Sequence, residues 1–125
     1  MRSLLNALFC ALALAGFVQA ANAAEAPPPT QGPVYVTTFY EVTPGKTAPA
    51  MAMLKDYRDA ARKEPGIMSS DVLQEVGMPS RFATNEVWRD WAAYDAHVKA
   101  SPRDQLTMKI LPIQYGPPDA RPHLS

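Results

Sequence analysis

Breaks that contain glycine or proline divide the chain after residue 33 into short segments. These breaks are Pro44-Gly45, Pro65-Gly66, residues 77–80 (GMPS) and Ser101-Pro102. A helix or strand rarely continues through such a pair, because proline lacks the backbone donor and glycine favours turns. Each segment must therefore form one short element, and the order of these elements constrains the fold more than any other feature of the sequence.

The strand-like segments are rich in β-branched and aromatic residues. Residues 34–43 (VYVTTFYEVT) have this composition and predict a first strand. Residues 67–76 and 81–89 flank the turn-forming 77–80 segment and are typical of a hairpin. Residues 112–125 are predicted to form a last strand and a proline-containing tail.

The helical segments lie between the strands. Residues 47–64 place apolar side chains at helical spacing, and Thr47 is the predicted N-cap. Asp90 is the predicted cap of a second helix that runs to residue 100. Residues 103–111 are predicted to form a third helical piece.

This order of elements is typical of one fold class. It predicts an α+β, ferredoxin-like split βαβ arrangement, in which a four-stranded antiparallel sheet carries its helices on one face. The other sheet face receives apolar side chains, which are Tyr35, Phe39, Leu73 and Val87. Burial of that face against a second copy predicts a homodimer, a dimeric α+β barrel.

Residues 1–23 have the pattern of a secretory signal peptide. Arg2 supplies the positive start, residues 7–18 form an apolar run, and Ala21-Asn22-Ala23 fits the cleavage pattern. The run is shorter than a membrane-spanning helix, so no stable membrane anchor is expected after the signal is removed. The single cysteine, Cys10, would leave with the signal, and the predicted location is periplasmic or secreted.

The remaining chain divides into a tether and one domain. Residues 24–33 are a proline-rich tether, and residues 34–125 form the predicted domain. The whole chain has 12 basic and 12 acidic residues, so a nucleic-acid partner is not expected. The sequence contains no dinucleotide, P-loop, nucleophile-elbow or HExxH motif, and no metal site is predicted.

The residues that suggest chemistry lie around the end of the second hairpin strand. Glu86 and Trp88 share one strand face, and His97 follows on the next helix beside Ala93 and Ala96. Small neighbours leave room beside the imidazole ring, so Trp88 and His97 are predicted to enclose a cavity.

Structural interpretations of the same residues remain open. Trp88 is equally consistent with a core residue. Glu86 alternatively pairs with Arg89, Arg103 or a helix N-terminus. His97 is also consistent with a half-exposed residue that is hydrogen-bonded to a carboxylate.

Several stretches in this order and spacing resemble a known family. They are Tyr40-Glu41-Val42, residues 54–66 (LKDYRDAARKEPG), Val72-Leu73-Gln74, Pro79-Ser80-Arg81-Phe82, residues 86–90 (EVWRD) and Asp95-Ala96-His97. Together they resemble the antibiotic biosynthesis monooxygenase (ABM) domain family of the dimeric α+β barrel superfamily, over residues 34–123. The resemblance implies the homodimer and a pocket between the sheet and the helices.

The resemblance also implies an activity and roles for individual residues. It implies a quinol monooxygenase-like enzyme that uses O2 on a small electron-rich aromatic substrate without a metal or other cofactor. His97 is then the catalytic proton acceptor and Trp88 packs against the substrate, while Glu86, Thr84 and Tyr94 hydrogen-bond its oxygens. The alternatives are a non-catalytic dimeric module that binds a small apolar ligand or responds to stress, and a purely structural dimer.

Three positions depart from the pattern of characterised members. Thr84 stands where several oxygenases have asparagine, and Arg103 stands where many relatives have a second histidine. Haem-degrading relatives carry their haem-binding histidine at the place of Thr107, so haem degradation is not expected.

Overall fold

The computed structural model describes residues 32–125. The predicted signal segment 1–23 and all but the end of the predicted tether lie outside the described residues. The elements of the described part are β1 (Val34–Glu41), α1 (Thr47–Ala61), β2 (Ile67–Gln74), β3 (Arg81–Trp88), α2 (Trp91–Val98), α3 (Ser101–Ile110) and β4 (Asp119–Leu124).

The strands form one antiparallel sheet in the order β2-β3-β1-β4. Strand β3 lies between β1 and β2, the two strands that α1 connects, and this is the split βαβ arrangement. The predicted ferredoxin-like α+β fold is therefore confirmed, including the last strand.

The alternation of β3 decides which side chains lie under the helices. Phe82, Thr84, Glu86 and Trp88 point to the helix side, and none is more than 3% exposed. Their partners on β1 continue this layer, since Val34 pairs with Trp88 and Val36 pairs with Glu86. The polar Glu86 is thus placed by strand register within an apolar layer.

The helices cover this layer with residues at helical spacing. Ala50, Leu54, Tyr57 and Ala61 form the buried face of α1, and α3 adds Leu106 and Ile110. Helix α2 packs with Ala93 and Tyr94 beside Val34 and Trp88. In the described part of the chain, no helix has the length and apolar character that a bilayer crossing requires.

The element boundaries correct the sequence prediction in particular places. Lys46 occupies the N-cap of α1 without a side-chain hydrogen bond, so the prediction that Thr47 is the cap is wrong. Helix α1 ends at Ala61 rather than at residue 64, because the chain turns there toward Gly66, whose φ of +84° favours glycine. The predicted Asp90 cap is confirmed, since its Oδ1 accepts from the backbone N–H of Ala93 at 2.8 Å.

The sheet face away from the helices is uncovered in the single chain. Tyr35, Phe39 and Leu73 are 45%, 45% and 48% exposed, and they share this face as one apolar patch. The fourth predicted residue, Val87, is partly buried. The predicted bare apolar face is therefore present, and we call the surface around Tyr35, Phe39 and Leu73 the open face.

Candidate active site

Side chains from three elements and one loop meet in the layer between the sheet and the helices. Glu86 comes from β3, Tyr57 from α1 and His97 from α2, and their exposed fractions are 3%, 7% and 3%. Glu64, in the loop after α1, completes the group. Polar side chains this deeply buried need hydrogen-bond partners, and here they find them in one another.

These four residues form a continuous series of contacts, which we call the buried hydrogen-bond chain. The Tyr57 hydroxyl donates to Glu86 Oε1 at 2.5 Å and lies 2.8 Å from His97 Nε2. His97 Nδ1 lies 2.5 Å from Glu64 Oε2. At the other end, Trp88 Nε1 donates to Glu86 Oε2 at 3.2 Å. Both imidazole nitrogens are therefore engaged, and both carboxylates are held in place.

The buried hydrogen-bond chain has fewer protons than contacts when its imidazole is neutral. Its three contacts join Glu64 to His97, His97 to Tyr57, and Tyr57 to Glu86, and each hydrogen bond needs one proton. A neutral imidazole and a phenol supply only two protons between them. The chain in its neutral-imidazole form can therefore accept one further proton, which makes it a base of buried, fixed geometry.

Burial holds the two tyrosines of this region in the phenol form. Removal from water raises the pKa of Tyr57 far above its usual range, and the charge and hydrogen bond of Glu86 add to the effect. Burial also raises the pKa of Tyr40 to about 12, although the neighbouring Thr84 hydroxyl and the Arg103 charge act in the opposite direction. At neutral pH both hydroxyls are therefore hydrogen-bond donors.

The first of two cavities beside His97 lies against the sheet. It has a volume of about 200 Å³, and its polar lining includes Tyr40, Tyr57, Tyr94, Glu86, His97 and Arg103. We call it the tyrosine cavity. Apolar side chains, among them Val36 of β1 and Leu106 and Ile110 of α3, also line it, and this combination is typical of a small-molecule site.

The second cavity lies on the other side of the imidazole ring. It has a volume of about 380 Å³ and is lined by Ala92, Ala93, Ala96 and Ala100, with Glu64 and Trp88. We call it the alanine cavity. The sequence predicted room beside His97 because its neighbours are small, and this room is present.

Trp88 and His97 stack against each other and leave no space between them. Their ring centroids are 4.4 Å apart with an interplanar angle of 26°. Trp88 is fully buried in the core and borders the alanine cavity rather than the tyrosine cavity. Its packing fixes the plane of the imidazole ring, and hence the direction of both ring nitrogens.

The other predicted site residues fall into two groups. Glu86, His97 and Tyr94 all line the tyrosine cavity. Thr84 is 1% exposed and lines neither of the two cavities, although it lies beside the Tyr40 hydroxyl.

Within the described residues, Glu86 bonds to Tyr57 and Trp88 and has no arginine within salt-bridge distance, so its alternative pairing is not observed. His97 has the expected carboxylate partner, but it is buried rather than half-exposed.

The sequence interpretation did not identify Tyr57, Glu64 or the role of Tyr40. The helical spacing of residues 47–64 predicts only that Tyr57 lies on the apolar face of a helix and that Glu64 lies at its end. The single available signal was the hydroxyl of a tyrosine on an otherwise apolar face, since a buried phenol requires a partner. Among residues 32–125, no group of three or more acidic, histidine or cysteine side chains is arranged to hold a metal ion.

Comparison with protein families gave one match. The sequence profile of the antibiotic biosynthesis monooxygenase family matches residues 33–104, which is more than half of the chain. No curated protein sequence matches at a significant level.

Several solved structures share this fold. A proposed antibiotic biosynthesis monooxygenase from Nitrosomonas europaea has a TM-score of 0.71 at 18% identity, over 78% of this chain and 93% of that one. A possible oxidoreductase from Bacteroides thetaiotaomicron has a TM-score of 0.70 at 17% identity, over 76% and 99%. A conserved protein from Methanosarcina mazei has a TM-score of 0.70 at 19% identity, over 76% and 94%. At these identities the likeness shows the fold and no more.

Proposed function

The chain belongs to the antibiotic biosynthesis monooxygenase family, and we propose that it is a monooxygenase that oxidises a small electron-rich aromatic substrate with O2 and no cofactor. One observation carries the proposal: Glu86 and His97, both buried and both in contact with the Tyr57 hydroxyl, line a cavity of about 200 Å³. On this proposal the buried hydrogen-bond chain is the base that accepts the substrate proton, with His97 at its centre and the Tyr57–Glu86 contact as its end at the cavity.

A quinol-type substrate needs only deprotonation and positioning from the protein. Loss of a phenolic proton to the buried hydrogen-bond chain leaves an electron-rich quinolate, which can transfer an electron to O2. One oxygen atom then forms a C–O bond to the ring, and the other leaves as water with two hydrogens from the substrate. The four electrons that reduce O2 all come from the substrate, so the reaction from quinol to hydroxyquinone needs no external reductant. The cavity orients the ring and excludes water.

The size of the tyrosine cavity favours a single aromatic ring. A cavity of about 150 Å³ is large enough for benzene. The tyrosine cavity, at about 200 Å³, therefore suits a hydroxylated benzene better than a tricyclic anthrone. We expect turnover of single-ring quinols to exceed that of anthrones.

The test is oxygen uptake by the purified protein with a panel of quinols, using ¹⁸O-labelled O2. We expect one labelled atom in the product and one in water. Replacing Glu86 or His97 by glutamine should lower turnover by about 100- to 10,000-fold, the usual contribution of a general base. The matched control is Asp56→Asn, which removes an exposed carboxylate of α1 and should leave turnover unchanged.

Three results would contradict the proposal. They are no uptake across the panel, an unlabelled product, and uptake that does not depend on Glu86 or His97. Binding of an apolar aromatic without turnover would instead support the alternative of a non-catalytic binding module.

We propose in addition that the protein acts after export, as a homodimer. The support for export is the signal-like pattern of residues 1–23. Mass spectrometry of the exported fraction should show a chain that begins at Ala24. Full-length chain found only in the cytoplasm would contradict the export proposal. The support for the dimer is the open face.

A further inference from the structure

Arg103 differs from the other arginines of the described chain in having no carboxylate partner. The other arginines between residues 32 and 125 each have a carboxylate within 4 Å; these pairs are Arg58–Asp59, Arg62–Asp71, Arg81–Glu41, Arg89–Asp90 and Arg121–Asp119. Within the same residues, the Arg103 guanidinium has neither such a pair nor a hydrogen bond to a protein acceptor. Its hydrogen-bond donors are therefore available to a ligand.

The position of Arg103 directs those donors to the proposed substrate site. Its half-buried side chain lines the tyrosine cavity, together with Glu86 and Tyr57. Its charge acts to lower the pKa of the Tyr40 and Tyr57 hydroxyls, although burial outweighs this effect and both stay in the phenol form at neutral pH. A ligand in this cavity therefore contacts the Glu86 carboxylate, which can accept a proton, and the Arg103 guanidinium, which can bind an anion.

We infer that the substrate is a single-ring hydroxyaromatic acid whose carboxylate pairs with Arg103 while its phenolic hydroxyl faces Tyr57 and Glu86. This inference rests on the proposed function in taking the ligand to be an aromatic that loses a proton there. The planar guanidinium matches a carboxylate with two parallel hydrogen bonds, which a neutral quinol cannot supply. A benzene ring with these substituents also suits the cavity volume of about 200 Å³.

The test measures binding without turnover. Under argon, 2,5-dihydroxybenzoate, its methyl ester and hydroquinone are titrated into the wild-type protein and followed by calorimetry. Hydrogen bonds between two charged groups are about twice as strong as those between neutral groups. We therefore expect the acid to bind about 10- to 100-fold more tightly than the ester.

Variants identify the residue that makes this distinction. Arg103→Gln should bind the acid and the ester equally, and Arg103→Lys should keep part of the preference because it keeps the charge. Arg58→Gln, which removes an arginine of α1 that pairs with Asp59, is the control and should bind as the wild type does. Circular dichroism of each variant verifies that it is folded.

The outcomes separate this inference from the proposed function. Equal binding of acid and ester by the wild type, no binding of the acid at millimolar concentration, or an unchanged preference in Arg103→Gln would overturn the inference. Oxygen uptake with 2,5-dihydroxybenzoate that is no faster than with its methyl ester, and that Arg103→Gln does not slow, would overturn it while leaving the proposed function intact. Arg103-dependent binding of the acid without oxygen uptake in air would support the inference and contradict the proposed function.

Discussion

The Tyr57 hydroxyl has a single proton and two neighbours that compete for it. Glu86 Oε1 lies 2.5 Å away and His97 Nε2 lies 2.8 Å away. The hydroxyl can donate its proton to only one of these atoms, and a hydrogen bond with the other atom requires that atom to carry a proton of its own. Both neighbours are largely shielded from bulk water, because each is only 3% exposed. Moving or removing the proton of this hydroxyl therefore changes the hydrogen bonding of both Glu86 and His97.

Replacing Tyr57 by phenylalanine should reveal this coupling through the pH dependence of stability. Unfolded tyrosine ionises near pH 10, whereas burial raises the pKa of Tyr40 to about 12 and that of Tyr57 further. Both residues thus stabilise the folded state below pH 10 and lose that contribution as the pH rises. Between pH 10 and 12 each tyrosine ionises in the unfolded state but stays protonated in the folded state. For each of them the free energy of unfolding should therefore fall by about 1.4 kcal/mol per pH unit. Tyr57→Phe should remove one of these two contributions.

The measurement is urea unfolding at intervals from pH 8 to 11.5. At pH 8 we expect Tyr57→Phe to be about 1–3 kcal/mol less stable than the wild type, because Glu86 and His97 lose a partner. That difference should shrink at alkaline pH. Tyr115→Phe, at a tyrosine that is 74% exposed, serves as the control. A constant difference between wild type and Tyr57→Phe over the whole range would contradict the argument.

At the residue scale, the sequence predicted which chemistry-bearing side chains are buried better than it predicted their partners. The alternation of β3 and the small residues beside His97 placed Glu86 and His97 in the site. Tyr57 and Glu64 lie 29 and 33 positions from the residues they contact, and no local pattern encodes such a pairing. The stacking of Trp88 on His97 likewise depends on how α2 packs, which spacing alone does not determine.

Helix α2 holds His97 in place through a close contact near its beginning. Gly66 has a φ of +84°, and a Cβ at this position would lie 2.5 Å from the Cβ of Ala93. The Arg89 backbone N–H also donates to the Gly66 carbonyl at 2.8 Å, which joins the two segments. The distance between the loop after α1 and helix α2, and with it the Glu64–His97 contact, therefore depends on a glycine.

Gly66→Ala should displace α2 and destabilise the domain. We expect a loss of about 1 kcal/mol from the unfavourable φ and a further 1–3 kcal/mol from the clash with Ala93. The control is Gly77→Ala, because Gly77 has the same φ of +84° with nothing within 4 Å of the added atom. Thermal unfolding should show a melting temperature several degrees lower for Gly66→Ala than for Gly77→Ala.

A second substitution tests the cause of that loss. Ala93→Gly removes the atom that the new Cβ meets, so the double variant should regain part of the difference. Equal melting temperatures for the two single glycine variants would refute a role for the close contact.

At the element scale, the breaks in the sequence predicted the number and order of the helices and strands. They predicted the ends of these elements less accurately. Ser101-Pro102 predicts an interruption, yet these two residues form the first turn of α3. Proline is tolerated there because the first backbone N–H groups of a helix have no partner within it. The prediction therefore succeeded for the element and missed its beginning by two residues.

For the whole molecule, the open face is an apolar surface that the single chain leaves uncovered. Tyr35, Phe39 and Leu73 are nearly half exposed on it, and a groove of about 570 Å³ lies between Phe39 and Leu73. A stable protein interface buries about 800 Å² on each partner, which a face-to-face pairing of two such sheets can supply. The buried hydrogen-bond chain lies on the other side of the sheet, so pairing leaves the tyrosine cavity within one protomer.

Sedimentation equilibrium at micromolar concentration should therefore give the wild-type protein twice the mass of one chain. Leu73→Asp places a charge on the open face and should produce a monomer, because the carboxylate would lose its water in the interface. Met108→Asp, at a residue of α3 that is 74% exposed on the helix side, makes the same kind of change elsewhere and should leave the dimer intact. A monomeric wild type, or a dimeric Leu73→Asp, would show that the open face is not the interface. Since every member of the buried hydrogen-bond chain belongs to one protomer, the Leu73→Asp monomer should still bind the aromatic ligand, which separates assembly from the site.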